Sequence, residues 1–276
     1  MVNGNLPFVI GAGSGRTGTL SLYTALNQLG YKTFHMKEIM YGSVDINSWA
    51  DMAEARVNQD TGHGQINSLT KRKEADELAI RVAKEMINTG YNATTDFPIS
   101  LLYRELMDLV PDAKVILSVR TSGDVWSDSV LSTIGQVGGL FSRAPFRFIP
   151  HFRRFSTIDN WIWREIGVAV DSSRRLDKDE LVEAYNDWNE SVIKSVPKDR
   201  LLIHQSRDGF SPICKHLGIP EIECPQYYPH VNDTSDFKIF LMVGRSSCVL
   251  FWALVIGVIS FILRKMTKRT PKNKYG

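Results

Sequence analysis

Cysteine is scarce in this chain: Cys214, Cys224 and Cys248 are the only three in 276 residues. They form no Cys-x-x-Cys pair and no spacing that would ring a metal ion. So odd and sparse a set argues against a disulfide framework, fits a reducing compartment and reads as ordinary buried thiols. A signal-like beginning is missing too. Residues 1–7 hold no basic region, and the apolar run Phe8-Val9-Ile10 meets a glycine loop before it is long enough to be a signal core. Acid is absent from residues 264–276, which carry Arg264, Lys265, Lys268, Arg269, Lys272 and Lys274. Removing those six charges from the formal net charge of +3 leaves the rest of the chain at −3. That excludes a bulk nucleic-acid binder, and no nucleic-acid partner is expected; any phosphate recognition is local.

Charge of either sign is absent from the eighteen residues 246–263, SSCVLFWALVIGVISFIL. At 1.5 Å per residue a helix there is about 27 Å long, enough to cross a bilayer core. The expected organisation is a domain over 1–236, a juxtamembrane linker over 237–245, a single membrane-spanning helix over 246–263 and a basic tail over 264–276. The positive flank favours a cytosolic tail. The lack of an export signal instead favours a tail anchor with the domain in the cytosol, and that is the expectation. The glycosylation-like triplets at Asn92, Asn189 and Asn232 are then chance.

What is present is an alternation of short β-rich runs with helical patterns, the mark of an α/β fold on a mostly parallel sheet. Strands are predicted over 6–10, 31–34, 91–95, 113–119 and 201–204. Helices are predicted over 19–29, 71–88, 98–110, 124–134, 156–170, 178–195 and 208–217. The stretch 44–67 reads as polar and irregular around Trp49. Residues 135–150, rich in Gly, Phe, Pro and Arg, read as a mobile or substrate-facing insert.

Residues 11–19 read Gly-Ala-Gly-Ser-Gly-Arg-Thr-Gly-Thr. Strand, glycine loop and helix together aim backbone N–H groups and a helix N-terminus at an anion. Arg16 adds a fork of donors, and Thr17 and Thr19 add hydroxyls. A dinucleotide site wants an acid at the tip of the second strand, but that strand ends Thr33-Phe34-His35-Met36-Lys37. An NTPase wants Gly-Lys-Ser/Thr and a strand ending in Asp to hold magnesium; here Arg16-Thr17-Gly18-Thr19 stands in the loop and the strand over 114–119 ends in Arg120. No metal is expected. A second site follows that buried strand. Arg120 sits at its carboxyl end, where open α/β sheets bind ligands, and Ser129 lies on the next helix.

These residues together resemble the P-loop sulfotransferases, closest to the branch that opens with a strand and Gly-x-Gly-Arg-Thr-Gly-Thr, over about residues 6–233. The resemblance implies a P-loop NTPase-like three-layer fold and a donor, 3′-phosphoadenosine 5′-phosphosulfate (PAPS). It implies that Gly13, Ser14, Gly15, Arg16, Thr17, Gly18 and Thr19 hold the 5′-phosphosulfate, and that Arg120 and Ser129 hold the 3′-phosphate. Asp96-Phe97-Pro98 falls where the cytosolic branch has His-Leu-Pro, which makes Asp96 the general-base candidate. His35 is the second candidate base, and Arg16 is the group that neutralises charge during transfer. The stretches 208–214 and 229–233 also resemble this branch. Ser129 lies one residue farther from the arginine than in the cytosolic branch, and that branch's C-terminal Gly-rich nucleotide loop has no counterpart here. The acceptor is expected to be a small molecule or a lipid. Two other readings remain open at this point: a nucleotide-binding membrane adaptor that has lost catalysis, and a magnesium-dependent NTP kinase.

Overall fold

The computed structural model describes residues 6–59, 65–170, 175–231 and 234–268. In chain order these form β1 (Val9–Gly11), α1 (Thr19–Gln28), β2 (Thr33–Phe34), α2 (Met36–Met40), α3 (Ile46–Asn58), α4 (Gln65–Asn88), β3 (Ala93–Thr94) and α5 (Tyr103–Leu109). There follow β4 (Lys114–Ser118), α6 (Gly123–Leu131), α7 (Val137–Phe141), α8 (Pro150–Glu165), α9 (Lys178–Ser195), β5 (Leu201–His204), α10 (Ser211–Leu217) and α11 (Thr234–Lys268). The five strands make one parallel sheet in the order β2-β3-β1-β4-β5.

Alternate side chains of the central strands feed opposite faces, as the two-residue period of a strand requires. Val9, Ala93 and Ile116 join Leu22, Leu26, Ile213 and Leu217 of α1 and α10 on one side. Ile10, Val115 and Leu117 join the larger core built from α3, α4, α5, α6, α8 and α9 on the other. The result is three layers, α/β/α. In the dinucleotide-binding order, already disfavoured by the sequence, β2 would lie beside β1; here β3 lies beside it, so the sheet too departs from that reading.

Several local expectations are corrected. Within the stretch 44–67, residues 46–58 are not irregular: Asp45 accepts from the Asn47 and Ser48 amides and starts α3, a capped helix that buries Trp49, Met52 and Ala53, while residues 60–64 lie outside the described residues. Of the two readings of the insert at 135–150, the mobile one gives way to a folded segment with two 3₁₀ turns flanking α7, and its Val137 lines the cavity described below. Residues 237–245, expected as a linker, are helical and continuous with the apolar run that follows. Cys214 and Cys224 are disulfide-bonded, with Cα atoms 6.0 Å apart, because the turn after α10 folds back over that helix; only Cys248 is free. Cysteine usage therefore no longer favours a reducing compartment. Helix α11 is long and apolar enough to cross a membrane, and none of its candidate apolar window is buried in the domain. It is a candidate membrane anchor. The basic tail beyond Lys268, residues 232–233 and the triplet at Asn232 lie outside the described residues.

Candidate active site

The glycine loop, His35, Asp96 and Arg120 all lie at the carboxyl ends of parallel strands, the edge at which such sheets bind ligands. β1 runs into the glycine loop, β2 into His35, β3 into Asp96 and β4 into Arg120.

The loop is held by its carbonyls. The Trp188 indole N–H donates to the Ala12 carbonyl at 2.9 Å, and the Trp126 indole N–H to the Gly15 carbonyl at 2.7 Å. The Thr17 hydroxyl donates to the Ser14 carbonyl at 2.6 Å, and Arg120 Nε to the Arg16 carbonyl at 2.6 Å. A trans peptide points its N–H opposite to its C=O. Pinning these carbonyls therefore turns the amides of Gly13, Gly15 and Arg16 the other way, the arrangement an anion cradle requires. Two glycines are obligatory for the shape. A Cβ on Gly13 would meet Ser118 Oγ at 2.0 Å; Gly18 has φ 92° and would meet Ser206. Ser14 is fully buried, and its hydroxyl has no hydrogen-bond partner among the described residues. A buried orphan hydroxyl in a cradle of amides is what a bound oxyanion would satisfy.

Arg16 and Asp96 both adopt positive φ, 73° and 76°, which costs a non-glycine residue about 1–3 kcal/mol. That strain aims both side chains into one cavity of about 330 Å³. Asp96 Oδ1 accepts from the Thr19 hydroxyl at 3.1 Å, and its Oδ2 lies 3.3 Å from His35 Nε2. Burial pushes the Asp96 carboxyl above the ordinary carboxylate range; His35, Thr19, the Phe97 amide and Arg16 pull it part of the way back. The Lys37 amide donates to His35 Nδ1 at 3.3 Å, so in the neutral ring the proton sits on Nε2, facing Asp96.

The Arg16 guanidinium reaches Ser129 Oγ (3.3 Å) through Nε and Thr234 Oγ1 (2.9 Å) through Nη2, and lies over the Phe237 ring. Ser129 and Arg120 are thus brought to the same loop residue, one through the Arg16 side chain and the other through its carbonyl. Neither lines the cavity. Thr17 packs beneath the loop, its hydroxyl 2.7 Å from Ser118 Oγ.

Sequence reasoning gave the acceptor pocket to the insert over 135–150 and to the aromatic helices, and Val137, Ile162 and Trp163 do line the cavity; what it missed is the apolar wall supplied by α2 and α11. Met36 and Met40 of α2, Phe155, Ile162 and Trp163 of α8, and Phe237 and Phe240 of α11 line the cavity. Asp159, also in the lining, accepts from the Trp163 indole N–H. For α8 the signal was its aromatic spacing, although sequence alone assigns such spacing to core more often than to a site.

A family model described as a sulfotransferase domain matches residues 8–237. Among curated proteins, the chain is 27% identical over 232 residues to "Ava biosynthesis cluster protein M" of Aspergillus versicolor, covering 81% of this chain and 80% of that protein.

Proposed function

The chain belongs to the sulfotransferase family, and from that premise we propose that it is a PAPS-dependent sulfotransferase acting on a hydroxyl acceptor, anchored to a membrane by α11. One observation carries the reading: Asp96, with its carboxyl pushed up by burial, lines the same cavity as Arg16 at the mouth of a glycine loop whose Ser14 hydroxyl is buried and unpartnered.

The loop fits a phosphosulfate. The amides of Gly13, Gly15 and Arg16, the Ser14 hydroxyl and the Arg16 guanidinium are the groups that would hold it, with Thr17, Gly18 and Thr19 opening α1 behind them. Arg120 and Ser129 would hold the 3′-phosphate. When bound, PAPS supplies a sulfuryl group already bonded to a phosphate leaving group. In the transfer, the acceptor oxygen–sulfur bond forms, the sulfur–phosphate oxygen bond breaks, and adenosine 3′,5′-bisphosphate is left. Asp96 takes the proton from the acceptor hydroxyl, help worth about 10²–10⁴ in rate. His35 Nε2 orients the carboxylate, while Thr19 holds the other oxygen. Arg16 offsets negative charge at the reacting end of the cavity. The site contributes mainly by position.

The test is thermal stability of the full chain in detergent, titrated with adenosine 3′,5′-bisphosphate and with ATP–magnesium. The full chain is required, because cutting at residue 236 would remove Phe237 and Phe240 from the cavity wall. Bisphosphate at a hundred times its dissociation constant should add about 2.7 kcal/mol. Stabilisation by ATP–magnesium alone would overturn the reading in favour of a kinase. Bisphosphate binding without sulfate transfer to any acceptor would favour an inactive adaptor.

The sequence expectation puts the domain in the cytosol. The Cys214–Cys224 disulfide favours a second orientation, with the domain in an oxidising lumen and Arg264 and Lys265 on the cytosolic side. Protease protection of the domain in sealed microsomes separates the two.

A further inference from the structure

We infer that the acceptor is an apolar alcohol drawn from the bilayer, which reaches Asp96 along the wall that α11 gives to the cavity; this rests on the sulfuryl-transfer reading above. Three observations converge on it.

First, α11 is docked to the domain over its first turns. Phe237, Leu241, Gly244 and Cys248 recur at helical spacing on one face. Leu241 is only 4% exposed, and Phe237 and Cys248 pack against the main core. A Cβ on Gly244 would lie 2.6 Å from the Leu140 side chain of α7, so glycine permits the close approach. Arg245 hydrogen-bonds Gln136 beside it. The helix therefore leaves the domain in a fixed direction.

Second, the same turns build the site. Phe237 and Phe240 line the cavity, and Thr234 holds Arg16. At 1.5 Å per residue Phe240 lies about 9 Å along the helix from Ser246, where the uncharged stretch begins. The headgroup layer adds about 5–8 Å to each side of the hydrocarbon core. The cavity wall at Phe240 thus stands at the outer edge of the headgroup layer.

Third, the turn between α7 and α8 presents a membrane-seeking tip beside that helix. Phe148 is 66% exposed and Ile149 42% exposed. The Phe148 ring lies 6.3 Å from that of Phe251, five residues into the uncharged stretch, and exposed Arg143, Arg147 and Arg153 surround the tip. Apolar side chains at hydrocarbon depth with arginines behind them match an anionic interface. Helix and turn together hold the domain against the bilayer, and that same helix is one wall of the apolar cavity. A solute with one hydroxyl and an apolar body has its polar end matched by Asp96 and its body by Phe155, Ile162, Phe237 and Phe240.

The experiment reconstitutes the full chain in phosphatidylcholine–phosphatidylserine vesicles. It supplies labelled PAPS and offers two acceptors: a long-chain primary alcohol dissolved in the bilayer, and a water-soluble phenol. Transfer to the vesicle alcohol is expected to follow its mole fraction in the lipid, falling as empty lipid is added at constant total alcohol. Replacing the tip by Phe148→Asp together with Ile149→Asp is expected to raise KM for the vesicle alcohol at least tenfold, and to leave that for the phenol within twofold. Transfer to the phenol but not to the vesicle alcohol, or a rate indifferent to added lipid, overturns the inference and leaves the sulfuryl-transfer reading intact. Bisphosphate binding with no transfer to the vesicle alcohol does the same. Failure of the bisphosphate to raise the thermal midpoint overturns the underlying reading and the inference with it.

Discussion

The two ends of one cavity are built in opposite ways. At the polar end, the chain holds position through its backbone. The loop carbonyls are pinned by Trp126, Trp188, Thr17 and Arg120, and Arg16 and Asp96 sit at positive φ. That strain persists because largely buried strands on either side over-determine the geometry. At the apolar end nothing is strained. Met36, Phe155, Ile162, Phe237 and Phe240 come from three helices far apart in sequence and meet only through side-chain packing. The difference teaches where change is tolerated. A polar end fixed by backbone loses its chemistry on single substitutions, whereas an apolar end fixed by packing can be reshaped at modest cost.

The sharpest break in that contrast is Asp96→Asn. Asparagine accepts positive φ as readily as aspartate, so the backbone is spared. Turnover is expected to fall at least a hundredfold, with donor binding intact, read by initial rates beside bisphosphate titration. The pH profile of kcat/KM sharpens it. The base works deprotonated and burial raises its pKa, so the acid limb of the parent lies at higher pH than an exposed carboxylate would place it, and the variant loses that limb. Stability carries the same signature with opposite sign. The native state binds this proton more tightly than the unfolded chain, so stability falls as pH rises from the ordinary carboxylate range through the raised value. A melting series against pH should show that fall flattened in the variant.

Arg120→Ala comes next. Arg120 holds the Arg16 carbonyl through Nε, and losing a charged hydrogen bond costs about 1.5–3 kcal/mol. Bisphosphate stabilisation should be abolished at concentrations that saturate the parent. At the apolar end the expected effect is smaller and separable. Gly244→Leu pushes α11 off α7, and overpacking of this kind costs about 1–3 kcal/mol. The acceptor KM should rise roughly tenfold while the donor affinity stays put; equal losses in both would mean that the two ends are one mechanical unit. Least effect on activity is expected from reducing the Cys214–Cys224 bond, which lies away from both ends. By the chain-entropy account a loop this short is worth about 3 kcal/mol or less. Thermal unfolding with and without reductant should show that loss with kcat unchanged.

The polar end was legible in the sequence because its signals are local. Strand, glycine loop and helix follow one another within residues 9–28, and Asp96 and Arg120 each stand just beyond a short buried strand. The helix at 46–58 was hidden by its polar composition, although Asp45 stood before it as a cap. The disulfide was hidden because an odd number of cysteines does not announce a pair, and only the fold of the turn after α10 brings Cys214 and Cys224 together. Residues 237–245 read as a linker because their apolar side chains carry one charged residue at each end of the stretch, Lys238 and Arg245. What decides their role is the face they turn to α7.

The sequence by itself determined the α/β class, the glycine loop between strand and helix, the arginine and carboxylate at the strand tips and the apolar helix. Each of these is a pattern of neighbours in the chain, and local geometry follows from local pattern. The order of the strands, the meeting of His35 with Asp96, the disulfide and the joining of α11 to the cavity were decided only by tertiary structure. They depend on which distant surfaces exclude water together, and the hydrophobic effect that drives that choice has no direction along the chain.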